Sequence, residues 1–266
     1  MKVETTWGTL SAIDEGSGPA VVLLHPLAQC GEFWRPLIDE LTSRFRVLAP
    51  DARGHGSSPW NGEEFSVVDL ASDVANLLEH AGERSAAVLG MSMGGCTAIA
   101  LAARQPELVS RLVLADTTAD YGPDKEQAWA ARARAAVEKT REQQLGFQHD
   151  RWFSPGFLNS APDEVARVSN LFLATDSHAH AAASRALGGY EDIAKLAQIQ
   201  APTLVVVGDE DYATPPEMAR TLAQDIPDAQ LQVLPETRHL SLIQNRTVWP
   251  QVIDHLAGAT QETRPS

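Results

Sequence analysis

Apolar and polar positions alternate along this chain in two recurring forms. Continuous apolar runs, "PAVVLLH", "FRVLAP", "SAAVLG", "RLVLAD" and "APTLVVVGDE", have the pattern of strands buried on both faces, and "AQLQVLPE" adds a further strand near the end. Helical segments separate them: "FWRPLIDELTSR", "VVDLASDVANLLEHAG" ending at Gly82, "CTAIALAARQP", "PEMARTLAQDI" and "VWPQVIDHL". The opening "KVETTWGTLSAIDEGSG" shows short alternating stretches broken by glycine and predicts a hairpin leading into the sheet. Strand followed by helix, repeated, predicts an α/β fold with a mostly parallel, eight-stranded sheet flanked by helices. Ligands in such folds are met at the carboxyl ends of the strands.

The alternation lapses between Tyr121 and Leu196, where Ala- and Arg-rich helical sequence surrounds Trp152, Phe153 and Phe157 without a convincing strand. This predicts an inserted helical cap at 121–196 on a core formed by 1–120 and 197–266. The polar tail "GATQETRPS" is expected to fray, and no repeat or low-complexity tract is present.

Composition changes this picture little: 266 residues with 44% hydrophobic and 21% charged positions suit a soluble domain with one sizeable core. The start, "MKVETTWGTL", has no apolar h-region, and no run is long enough to span a membrane, so a cytoplasmic protein is expected. Charge excludes more. With 21 basic against 35 acidic residues the net charge is −14, which argues against nucleic-acid or anionic-membrane partners, and an anionic substrate would need local arginines. Cys30 and Cys96 lack C-x-x-C spacing and read as two free thiols.

Chemistry is expected just after the strands. Following "SAAVL" comes Gly90-Met91-Ser92-Met93-Gly94, a G-x-S-x-G pattern at a strand-to-helix turn. Such a tight turn lifts a serine hydroxyl above the sheet at a helix N-terminus, where developing negative charge is favoured. Serine is a poor nucleophile at neutral pH and needs a histidine base with an acid to orient it. The chain supplies Asp211, off the end of "LVVVG", and His239, after "LQVLPE", in the order Ser, Asp, His. Asp209 and Glu210 read as solvated or loop-bonding, and Asp116, after "RLVLA", is a second candidate acid. Acyl transfer also needs donors for an oxyanion. The backbone N–H of Met93 is one. In the loop "HPLAQCG" Pro26 has no N–H, which points to Leu27 for the other.

Other features carry weaker signals. His178-Ala-His180 diverge on a helix and lack a third ligand, so no metal is expected, and no cofactor. "DARGHGSS" lacks the phosphate-loop patterns and reads as a structural loop below the site, with Arg53 and His55 hydrogen-bonding within it.

Together "GMSMGG", "DARGHG", "GDEDYATPP" and "RHLSL" resemble the α/β-hydrolase fold over nearly the whole chain, in that family's order. Within it "DRWFSPGF", "RHLS" and "VLADTTADYG" look like 3-oxoadipate enol-lactonases, which open a small anionic lactone in aromatic catabolism. The resemblance implies that Arg151 pairs with the substrate carboxylate and Trp152 walls its ring. Alternatively Arg151 is a surface ion-pair partner and Trp152 belongs to the cap core. The chain departs from the enol-lactonase pattern at His25-Pro26-Leu27-Ala28, at Gly188-Gly189, where that family tends to carry Arg-Asp, and at Leu242, where it tends to carry Asn.

The expectation is a cofactor-free serine hydrolase of a small ester or lactone. The same fold and residues also serve carbon–carbon bond hydrolases, perhydrolases and non-catalytic ligand receptors, whereas a haloalkane dehalogenase needs Asp at the position of Ser92. Trp129, Trp152 and the apolar cap residues could serve a pocket or a homodimer contact.

Overall fold

The computed structural model describes residues 1–258, so the tail expected to fray lies, from residue 259 on, outside the described residues. Eight strands form one sheet: β1 (Lys2–Thr5), β2 (Gly8–Gly16), β3 (Ala20–Leu24), β4 (Arg46–Pro50), β5 (Ala86–Met91), β6 (Val109–Ala115), β7 (Thr203–Gly208) and β8 (Ala229–Leu234). Their spatial order is β1-β2-β4-β3-β5-β6-β7-β8. β1 and β2 pair antiparallel, as does β2 with β4, and every later pairing is parallel. The predicted hairpin therefore feeds the sheet from its edge. β3, β5 and β7 are buried at every position, which is why their sequences are continuous apolar runs rather than alternating ones.

Helices α1 (Arg35–Leu41), α2 (Val67–Ala81) and α3 (Met93–Arg104) connect the first strands. α2 buries Val67, Leu70, Ala71, Val74, Leu77 and Leu78, the three-and-four spacing of one helical face, and starts at a capping box between Ser66 and Asp69. The segment predicted as one helix from Phe33 is split. A 3-10 turn at Gly31–Trp34 precedes α1, because Pro36 suits only the first turn of an α-helix.

Between β6 and β7 come α4 (Lys125–Glu138), α5 (Arg141–Trp152), α6 (Pro155–Ser160), α7 (Pro162–Ala174) and α8 (Ser177–Gly188). Where the chain leaves and rejoins the sheet, Asp120 and Glu191 form an isolated antiparallel bridge and Asp192 pairs with Arg104 on α3 at 2.6 Å. These helices lack a large core of their own. Trp129 joins the apolar cluster on one face of the sheet, and Trp152, Phe153 and Phe172 join the cluster on the other. The chain ends with α9 (Pro216–Asp225), α10 (Ser241–Gln244) and α11 (Trp249–Leu256). Among the described residues no helix is long and apolar enough to cross a membrane. Both cysteines are free.

Candidate active site

Ser92 sits between β5 and α3 with φ 53° and ψ −117°, a backbone conformation that costs a non-glycine residue about 1–3 kcal/mol and persists only where its surroundings enforce it. They do so here by close packing. A Cβ on Gly94 would overlap the carbonyl oxygen of Leu24 at the end of β3, so only glycine lets the start of α3 lie against that strand. The hydroxyl is thereby carried past the strand ends.

His239 Nε2 is 2.9 Å from Ser92 Oγ, and its Nδ1 is 2.9 Å from Asp211 Oδ2. Asp211 also accepts from the Ala213 and Thr214 amides at 2.7 and 3.1 Å and from the Thr214 hydroxyl at 2.8 Å. Although burial opposes its charge, the imidazole and these donors hold the Asp211 carboxyl below the usual carboxylate range. All three residues are at most 5% exposed.

Asp116, the second candidate acid, does not face the imidazole. Its carboxylate accepts from the Gly208 amide at 3.2 Å and the Ser241 amide at 2.8 Å, tying the end of β7 to the loop that carries His239. Complete burial, with the charge of Asp211 adding to it, pushes its pKa well up. Asp209 Oδ1 accepts from the Thr237 amide and Glu210 approaches Arg238, so both serve the loops.

After β3, the Gln29 amide donates to the Pro26 carbonyl at 3.2 Å across a turn in which Ala28 has φ 59°. The Ala28 amide donates to His55 Nε2 at 3.2 Å, and His25 Nε2 accepts from the Ala52 amide at 3.0 Å. Each imidazole donates its Nδ1–H to a carbonyl, His25 to Pro26 and His55 to Arg53. Burial depresses both, His25 to about 4 and His55 to about 3, so they are neutral braces that lock two loops together. The expected bonding of "DARGHGSS" within itself holds for His55, through the Arg53 carbonyl, and is corrected for the Arg53 side chain. His55 also reaches across to the Ala28 loop, and the half-buried Arg53 guanidinium pairs with Asp73 on α2 at 2.7 Å, its charge meeting a buried carboxylate rather than a loop carbonyl. With the amides of Ala28 and Gln29 engaged, Leu27 retains an N–H without a protein acceptor among the described residues. Met93 N–H is likewise unbonded, as the first amide of α3.

A cavity of about 110 Å³ opens above Ser92 and His239. Pro26 and Leu27 line its floor, while Trp129, Arg132, Arg151, Trp152 and His180 descend from the helices, and Lys139, Gln143, Phe147 and Gln148 also line it. Arg151 is 6% exposed and is no surface ion-pair partner. Burial, aided by the charge of Arg132, lowers its pKa to about 10. Trp152 both faces the cavity and packs edge-on against Phe172 at 5.3 Å between ring centres. The resembling words "DRWFS" and "RHLS" meet here. Arg238 bonds the Asp150 carboxylate at 2.8 Å, the Leu240 amide donates to the Trp152 carbonyl at 3.1 Å, and Gln244 bonds both Trp152 O and the Ser154 amide.

The sequence did not single out Arg132 or assign a role to His180. On α4 Arg132 lies three residues after buried Trp129 and four before buried Ala136, so helical periodicity could have placed it inward. His180 is 5% exposed and lines the cavity, whereas His178 is on the outside. No group of three potential metal ligands occurs among the described residues.

A sheet with this order, a strained serine at the end of β5 and a histidine and an acid after β8 and β7 define a hydrolase of the α/β class. The family model described as alpha/beta hydrolase fold matches residues 19–246, and the chain belongs to that family. It is 30% identical over 244 residues to 3-oxoadipate enol-lactonase 2 of Acinetobacter baylyi, a match covering 92% of this chain and 89% of that protein. Its identity to a pimeloyl-acyl-carrier-protein methyl ester esterase of Aeromonas hydrophila is 27%, over 91% and 97% of the two chains. The crystal structure of the enol-lactonase from Burkholderia xenovorans LB400 superposes with a TM-score of 0.88 at 29% identity, covering 94% of this chain and 96% of that one.

Proposed function

We propose that the protein is a serine hydrolase of a small carboxylic ester or lactone, of enol-lactone type, with the helices of 121–196 serving as the cap that receives the substrate. The observation that carries this reading is the unbroken chain of 2.9 Å contacts from Ser92 Oγ through His239 to Asp211, opening on a cavity lined by Leu27, whose amide is unbonded among the described residues. His239 takes the Ser92 proton as Oγ attacks the carbonyl carbon. Asp211 keeps Nδ1–H pointed at itself, which leaves the Nε2 lone pair for the serine. The Leu27 and Met93 N–H groups receive the oxyanion. His239 then protonates the leaving alkoxide or enolate, and water, deprotonated by the same imidazole, releases the acid. Arg151 holds a substrate carboxylate and Trp152 walls the ring.

Purified protein and Ser92→Ala should be compared on 3-oxoadipate enol-lactone, followed by loss of ultraviolet absorbance, and on a short aryl ester. Turnover of the lactone well above the ester, reduced by roughly 10⁴- to 10⁶-fold in the variant, is expected. Ser92→Ala retaining full activity would remove the serine from the mechanism. Hydrolysis of the ester alone would keep the mechanism and reject the enol-lactone assignment.

A further inference from the structure

The cap side of the cavity holds two arginines with no carboxylate paired to either among the described residues, although the charge of Asp211 reaches Arg151 from the opposite wall. Arg132 and Arg151 both line it, close enough for the charge of one to disfavour the charge of the other. Neither guanidinium forms an ion pair or hydrogen bond among the described residues, and no acidic side chain lines the cavity. By contrast the half-buried Arg53 and Arg104 each have a carboxylate within 2.7 Å. Burying two like charges together is costly, and the arrangement is relieved when an anion enters between them.

The surrounding packing holds both arginines in place. Arg132 stacks over Trp129 at 4.5 Å from the ring centre, and Trp129 packs closely against α8 at Gly188, where a Cβ would sit 3.0 Å from the Trp129 Cβ. Arg151 is fixed by the bonds of its neighbours Asp150 and Trp152 to the His239 loop. His180 adds a third donor. Arg141 donates to its Nδ1 at 2.6 Å, so the proton of this buried, neutral ring sits on Nε2, which has no protein acceptor among the described residues.

We propose that Arg132 and Arg151 grip one carboxylate of the substrate from two sides, with His180 Nε2–H as a further donor, making Arg132 a specificity-determining residue. Resting on the hydrolase reading, this gives the carboxylate contact already proposed for Arg151 a second cation, so that preference for an anionic ester depends on Arg132.

The test compares mono-4-nitrophenyl glutarate with uncharged 4-nitrophenyl butyrate in the wild type, Arg132→Gln, Arg132→Lys and the exposed same-helix control Arg134→Gln. Alongside, glutarate binding to Ser92→Ala, with and without Arg132→Gln, is measured by calorimetry. The wild type is expected to prefer the glutarate ester. Arg132→Gln should cut that preference by about 10- to 100-fold, chiefly through KM, with Lys recovering part and Arg134→Gln keeping the wild-type ratio. An unchanged ratio in Arg132→Gln, or a wild-type preference for the butyrate, overturns the proposal. Glutarate binding that depends on Arg132 with neither ester hydrolysed would retain the anion site and sink the hydrolase reading. Absence of glutarate binding together with hydrolysis of both esters at equal rates would do the reverse.

Discussion

The two walls of the cavity are built on opposite plans. On the sheet side, Ser92, His239 and Asp211 stand beyond the ends of β5, β8 and β7 and are held by partners of the same wall, with four bonds on Asp211 alone. Across the cavity, Arg132 and Arg151 come from helices and have no partner among the described residues. Strand ends are held by a ladder of backbone bonds and cannot shift singly, whereas a helix side chain can be exchanged without moving the backbone. The sheet wall therefore suits a chemistry kept across a family, and the helical wall suits a choice of substrate that differs between an enol-lactonase and a methyl ester esterase.

This contrast can be broken most severely at the sheet wall. Asp211→Asn should lower kcat by about 10⁴-fold, while Asp116→Asn should cost less than about tenfold, because only Asp211 orients the imidazole. Steady-state kinetics on one ester decides between them, and the reverse ranking would make Asp116 the orienting acid. Next in size, pH should act on the two walls from opposite ends. His25 and His55 have folded pKa values of about 4 and 3 against an ordinary 6.5, so the unfolded chain takes up their protons first. Their contribution to stability is complete above 6.5 and falls as pH drops toward those values, by about 1.4 kcal/mol per unit for each. Urea unfolding at pH 7 and pH 5 should show the loss, and His55→Asn should lessen its slope. At the other extreme, burial still leaves Arg151 charged at neutral pH, so anion preference should hold up to about pH 9. The smallest effect is expected where the walls join. Asp150→Asn removes the Arg238 ion pair and should raise KM about fivefold, with little change in stability because the Asp150 side chain is 66% exposed. A larger fall in kcat than rise in KM would mean that the pair also aligns His239.

Periodicity disclosed the sheet wall because its residues follow strands, and strands buried on both faces are unmistakable as apolar runs. "GMSMGG" and the positions of Asp211 and His239 could be read on that basis alone. The helical wall was less legible for a physical reason. In "WAARARAAV" Arg132 and Arg134 look alike as letters, and only their spacing from Trp129 separates the one that the packing of α4 on α8 sends inward from the one left in solvent. The brace formed by His25 and His55 was hidden for a similar cause, since it joins loops 27 residues apart through ring nitrogens and leaves no spacing rule behind.

The bonds from the Trp152 carbonyl to the Leu240 amide and Gln244 also set how traffic can pass. If the helices of 121–196 act as a cap, they are expected to behave as a door hung beside the imidazole, since lifting there would dislodge the loop that carries His239, and reactants are expected to pass elsewhere along the rim.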